Sequence, residues 1–115
     1  MPRYDLEQRT FAFAQSVRHF LKRIPKNASN TVDARQLIRS SGSVGANYLE
    51  ANDALGKKDF LIRIRISRKE AKEACYWLGL LDLEPRVELE TERDCLVDEG
   101  QQLVRILSAI LSKAV

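Results

Sequence analysis

The sequence predicts an all-α protein, an up-down-up-down antiparallel four-helix bundle. Three observations carry this. Apolar residues recur at i, i+3, i+4 and i+7 through four long stretches, the period of one helix face. No stretch sustains the strict alternation of a half-buried strand. Only three prolines and five glycines interrupt 115 residues, so the connections must be few and mostly short, which sets consecutive helices antiparallel.

The first helix is expected over 5–24. Its apolar face reads Leu6, Thr10, Phe13, Ala14, Val17, Phe20, Leu21 and Ile24. Asp5 is a candidate N-cap, and Pro25 stops the helix because the residue before a proline avoids the α region.

The second helix is expected from Ser29 or Asn30, either of which can cap it, to about residue 55, with Gly56 as its stop. Its face reads Ala34, Leu37, Ile38, Ser41, Val44, Gly45, Tyr48 and Asn52. This helix breaks a rule of composition. Ser40, Ser41, Gly42, Ser43 and Gly45 are weak helix formers, and each glycine costs about 1 kcal/mol against alanine. Close approach of another helix is the expected offset.

The third helix is expected over 58–83. One stripe, Phe60, Ile64, Ser67, Ala71, Ala74, Leu78 and Leu81, serves a core. A second apolar set, Leu61, Ile62, Ile66, Trp77 and Leu80, exceeds what one core needs and predicts contacts between subunits. Residues 84–91, with Pro85 and several carboxylates, read as the longest loop and the most mobile segment. The fourth helix is then expected over 91–114, capped by Thr91 with Asp94, along Leu96, Leu103, Leu107, Ile110 and Leu111.

One such domain fills residues 1–115. The N-terminus has no signal-peptide core, no apolar run is long enough to span a membrane, and the expected compartment is the cytoplasm. Cys75 and Cys95 are too few for a disulfide framework and read as small buried hydrophobes. His19, the only histidine, has no carboxylate or cysteine at ligand spacing, so no metal or cofactor is expected.

The sequence offers little for catalysis. No glycine-rich phosphate loop precedes Lys57 and Lys58. The serines near Gly42 have no histidine to act as base. The Glu-x-x-His pair of di-iron bundles is absent. The expectation is a protein that is not an enzyme.

Charge is more informative. The formal net charge is +3, but residues 1–81 carry 15 basic against 8 acidic side chains, and residues 82–115 carry 4 against 8. Arg65, Arg68, Lys69 and Lys72 share one helical side. That row suits phosphates, with a solvated face or pairing to the acidic part of the chain as the alternatives. Asn47, Glu50, Arg63 and Glu73 are expected to form a structural polar network between the second and third helices, because a buried carboxylate needs a partner and arginine offers two prongs.

The residues also carry a resemblance. The order Asp-Leu-Glu-Gln-Arg-Thr-Phe-Ala-Phe-Ala (5–14), Gln-Leu-Ile-Arg-Ser-Ser-Gly-Ser-Val-Gly-Ala-Asn-Tyr-Leu-Glu-Ala (36–51), Lys-Lys-Asp-Phe (57–60) and Arg-Lys-Glu-Ala-Lys-Glu-Ala-Cys-Tyr-Trp-Leu (68–78) resembles the four-helix bundles named after 23S ribosomal RNA intervening sequences. It is closest over 5–81, and the matching shared positions are Ser41, Ser43, Asn47, Glu50, Phe60, Glu70, Glu73 and Trp77. The family is similar to the accessory variability determinant of diversity-generating retroelements, a basic pentameric barrel that binds nucleic acid and a reverse transcriptase. The resemblance implies a ring-like homopentamer, no catalytic residues, and RNA or DNA as partner. The alternative function is an assembly or adaptor module that binds a protein partner and has no nucleic-acid affinity.

Overall fold

The computed structural model describes residues 3–114, with side chains from Asp5 onward. Four helices follow in order, α1 (Arg3–Leu21), α2 (Ala28–Asn52), α3 (Lys57–Leu80) and α4 (Val87–Ala114). There is no strand among the described residues. Each helix packs on its two neighbours in the cycle α1–α2–α3–α4, and among the described residues the backbones of the diagonal pairs stay apart across the core. This is the expected four-helix bundle, 47 × 23 × 19 Å. The α2–α3 pair is the most extensive and α1–α4 the thinnest.

The core follows the predicted stripes. Leu6, Phe13, Val17 and Phe20 of α1 meet Leu37, Val44 and Tyr48 of α2, Ile64, Ala71, Ala74 and Leu78 of α3, and Leu96, Leu103, Leu107 and Leu111 of α4, all buried. The small residues of α2 have the offset that their composition required. A Cβ on Gly45 would lie 2.8 Å from Thr10 Oγ1 and 3.2 Å from Thr10 Cβ, so α1 passes too close for any larger residue. On the other side of α2, buried Ser67 of α3 donates to the Val44 carbonyl at 2.7 Å. Gly100 does for α3–α4 what Gly45 does for α1–α2: its Cβ would sit 2.5 Å from Cys75 Sγ.

The ends of the helices depart from expectation. Asp5 lies in the first turn of α1 rather than at its cap. The chain leaves α1 after Leu21 through tight turns, Lys22 N–H to His19 O and Arg23 N–H to Phe20 O, and Ile24 still packs into the core. Asn27, not Ser29 or Asn30, caps α2 by accepting from the Asn30 N–H at 2.9 Å. Gly56 does not end α2. That helix stops at Asn52, and Gly56 sits in an extended conformation as the N-cap of α3.

The largest difference is at α4, which starts at Val87, so Thr91 and Asp94 lie inside the helix. Glu88 and Glu90 favour its positive N-terminal end, and buried Leu89 anchors the first turn. The expected long loop shrinks to 81–86. It is pinned by buried Leu81 and Leu83, and by Asn30, whose amide donates to Asp82 O at 2.8 Å and accepts from Asp82 N–H at 2.9 Å.

Candidate nucleic-acid interface

Because α3 turns Ile64, Ser67, Ala71, Ala74 and Leu78 into the core, its opposite side is fixed facing outward. Arg65, Lys69 and Lys72 are exposed there. None of the three has an ion pair or hydrogen bond among the described residues. Arg68, half-buried at the α3–α4 seam, differs: its Nη1 donates to Ser108 Oγ of α4 at 3.2 Å, which ties the guanidinium to that helix.

The α4 side of that groove adds Arg105. With Lys72, Cys75, Gln101 and Val104 it lines a depression of about 300 Å³. The sequence reading assigned α4 to the acidic part of the chain and missed Arg105. The available signal was local: every carboxylate after residue 81 falls between Asp82 and Glu99, and residues 100–115 carry only Arg105 and Lys113. Antiparallel packing then sets this carboxylate-free half of α4 beside the basic half of α3.

The acidic half of α4 is engaged elsewhere. Glu99 takes Arg9 of α1 in a two-pronged pair, Nε–Oε2 at 2.7 Å and Nη2–Oε1 at 2.8 Å. Glu92 takes Arg23. In both cases the hydrogen bond that the arginine donates to the glutamate raises the arginine pKa further. Within one chain, therefore, Glu99 and Glu92 of α4 take Arg9 of α1 and Arg23 of the turn after it, Asp94 takes Arg93 of its own helix, and Arg65, Lys69 and Lys72 of α3 are left without partners among the described residues.

The polar network between α2 and α3 is drawn differently from expectation. Arg63 Nη1 donates to Asn47 Oδ1 at 3.3 Å, and Asn47 Nδ2 donates to Ser43 O at 2.9 Å. Arg63 also approaches Asp59 at 4.0 Å. Glu73 belongs to a separate cluster, in which Arg39 bridges Glu70 at 3.2 Å and Glu73 at 3.1 Å. Glu70 is 7% exposed and is the buried carboxylate of the interface. Its hydrogen bond is the first cause of a raised Arg39 pKa. Glu50 is exposed on α2 and joins neither cluster by an ion pair or side-chain hydrogen bond, because Tyr48 and Ala51 take the inward positions. Arg39 could not be singled out from the sequence, since it lies off the apolar face.

Of the second apolar set, Leu61 and Trp77 pack on the chain's own core, while Ile62 and Leu80 remain exposed. Cys75 is half-buried, and burial raises its thiol pKa. Cys95 is exposed, contrary to the expectation of two buried cysteines, because Leu96 takes the inward position beside it. His19 is exposed on α1. Among the described residues no three His, Cys, Asp or Glu side chains come together as metal ligands, and no helix is long and apolar enough to cross a membrane.

A family model described as 23S rRNA-intervening sequence protein matches residues 3–109. The chain belongs to this family. A solved structure from Bacteroides thetaiotaomicron, described as a protein of unknown function from the S23 ribosomal protein family, is similar at a TM-score of 0.81 and 27% sequence identity, covering 97% of this chain and 99% of that one. No curated protein matches the chain. The bundle, with its α1–α2 and α3–α4 close approaches, is thus the architecture in which this family member presents its basic groove.

Proposed function

We propose that this chain is a non-enzymatic, homo-oligomeric bundle of the cytoplasm that associates with RNA or DNA through the α3–α4 basic groove. The observation that carries the reading is the row of unpartnered cations, Arg65, Lys69 and Lys72, with Arg68 and Arg105 flanking it. Cations without partners lose no ion pair on meeting phosphate, and each phosphate contact releases counterions. A ring of copies repeats a weak contact and multiplies it into avidity. A pentamer is the state that the family resemblance implies.

Binding to mixed-sequence RNA and DNA is expected at about 50 mM salt, and it falls steeply as salt rises. Changing Arg65, Lys69 and Lys72 together to Glu abolishes it and leaves the fold and the assembled mass unchanged. Wild-type protein that binds neither polymer at low salt would overturn the reading in favour of the adaptor module.

Self-association has its own support. The outer groove between α1 and α2, about 820 Å³, is walled by Phe11 and Leu49, which are 68% and 51% exposed, over a floor of Ala14, Gly42 and Gly45. A large apolar side chain standing beside a small-residue trough suits reciprocal insertion between copies. Phe11→Glu is expected to lower the mass measured by sedimentation at micromolar concentration, with the helical circular dichroism signal retained. An unchanged mass removes this groove from the subunit contact.

A further inference from the structure

The outward row on α3 does not end with its cations. Arg65, Lys69, Lys72 and Tyr76 follow one another at steps of four, three and four residues, a straight line along one side of a helix. Eleven residues at 1.5 Å each make that line about 16 Å long. Tyr76 is 60% exposed although aromatic rings are usually drawn inward. It meets its neighbour Trp77 in a T-shaped pair, 5.1 Å between ring centroids and 76° between planes. Trp77 is itself packed against the core, so the Tyr76 ring is braced rather than free, and more than half its surface is left open to solvent.

We infer that this row is a binding site for single-stranded nucleic acid, in which Arg65, Lys69 and Lys72 follow consecutive phosphates and a base stacks on the open face of Tyr76. The inference rests on the proposed phosphate contact and names the form of polymer that the site takes. A cation row alone accepts any polyanion. An exposed, braced aromatic ring in line with it adds a platform that only an unpaired base can use, because the bases of a duplex are already stacked on one another. Stacking tolerates any base, so little sequence preference accompanies it. The nearby carboxylates do not oppose a strand along this line. Glu73 turns to Arg39 on the α2 side, Asp59 lies beside Arg63, and Asp98 of α4 accepts from Gln102.

The test uses the full chain and two labelled probes of the same sequence, a single strand of about 16 nucleotides and its duplex, read by fluorescence anisotropy at about 50 mM salt. The single strand is expected to bind about tenfold or more tightly than the duplex. Tyr76→Ala is expected to weaken single-strand binding by about tenfold while leaving duplex binding unchanged, the size of one lost base stack. Tyr76→Phe, which keeps the ring and removes only the hydroxyl, retains wild-type affinity. Equal binding of strand and duplex, or a Tyr76→Ala variant with wild-type affinity for the strand, overturns the inference and leaves the phosphate reading standing. Binding of neither probe overturns both. A change in assembled mass in Tyr76→Ala assigns the ring to a subunit contact and overturns the inference as well.

Discussion

Gly45→Leu is expected to lower the stability of the bundle by about 2–3 kcal/mol, read as a fall of roughly 10 °C in Tm. Replacing a glycine inside a helix ordinarily helps, by up to about 1 kcal/mol. Here the sign reverses because of what the first added carbon would meet. Thr10 Oγ1 lies 2.8 Å from that position, Thr10 Cβ 3.2 Å and the Thr10 backbone carbonyl carbon 3.7 Å. Rotating the hydroxyl away removes the first conflict and not the second, so α1 itself must move. Thr10 is 1% exposed, and its hydroxyl donates to Glu7 O at 3.1 Å, which leaves it little freedom. Gly79→Ala supplies the comparison. Nothing lies within 4 Å of its Cβ position, so that substitution is expected to be neutral or slightly stabilising. Urea unfolding of both variants checks the pair. A Gly45→Leu variant with wild-type stability would mean that α1 and α2 separate at no cost, and the close-approach account would fail.

The same pair of residues shows what the sequence could say and what it could not. Gly45 was legible as a close approach because a run of poor helix formers inside a continuous apolar period needs an offset. Its partner was not, since Thr10 is one of many residues on the α1 face and nothing local marks it. Helix existence and most of each core face were legible for a similar reason: periodicity averages over many residues, although Ile38, expected on the α2 face, is exposed and Ser40 is buried in its place. Boundaries rest on single residues. Gly56 looked like a stop because glycine is common after helices, but the chain has no glycine in the left-handed conformation among its described residues, and this one serves an N-terminus instead. The acidic stretch 84–91 looked like a loop because it is polar. Much of it is the first turn of α4, where Glu88 and Glu90 sit near the positive end of the helix.

The candidate site divides along the same line. The α3 cation row follows from i, i+3, i+4 spacing alone and needs only the helix to exist. Whether those cations are free depends on where the carboxylates of α4 point, and that is set by the bundle's cyclic order. Arg9 on α1 and Arg23 in the turn that follows it, both distant in sequence, take Glu99 and Glu92. Arg105 joins the groove only because α3 and α4 run antiparallel. Arg39 is the remaining case. It lies off the apolar stripe of α2, so periodicity could not place it against buried Glu70.

Asn30→Ala is expected to destabilise the protein by about 3 kcal/mol, an effect well beyond the loss of a helix cap. Asn30 is 2% exposed. Its amide donates to Pro25 O at 2.9 Å and to Asp82 O at 2.8 Å, and its carbonyl oxygen accepts from Asp82 N–H at 2.9 Å. One side chain thus satisfies three backbone groups and ties the α1–α2 turn to the α3–α4 loop. Alanine leaves those groups without partners at a buried position. The cap itself survives, because Asn27 supplies it and the Asn30 N–H that it accepts from belongs to the backbone. Asn27→Ala is therefore expected to cost only about 1 kcal/mol. Asn30→Asp keeps the acceptor for Asp82 N–H but sets a carboxylate against two carbonyl oxygens. Those surroundings disfavour the charged form and raise its pKa. A raised folded-state pKa makes the penalty full above that value and relieves it as pH falls through it, so Asn30→Asp should recover toward wild type on acidification while Asn30→Ala should not. Hydrogen exchange at the Asp82 amide gives the local readout, with protection lost in Asn30→Ala and retained in Asn27→Ala. Equal destabilisation by the Asn27 and Asn30 substitutions, with Asp82 protected in both, would reduce Asn30 to an ordinary residue of the first turn of α2.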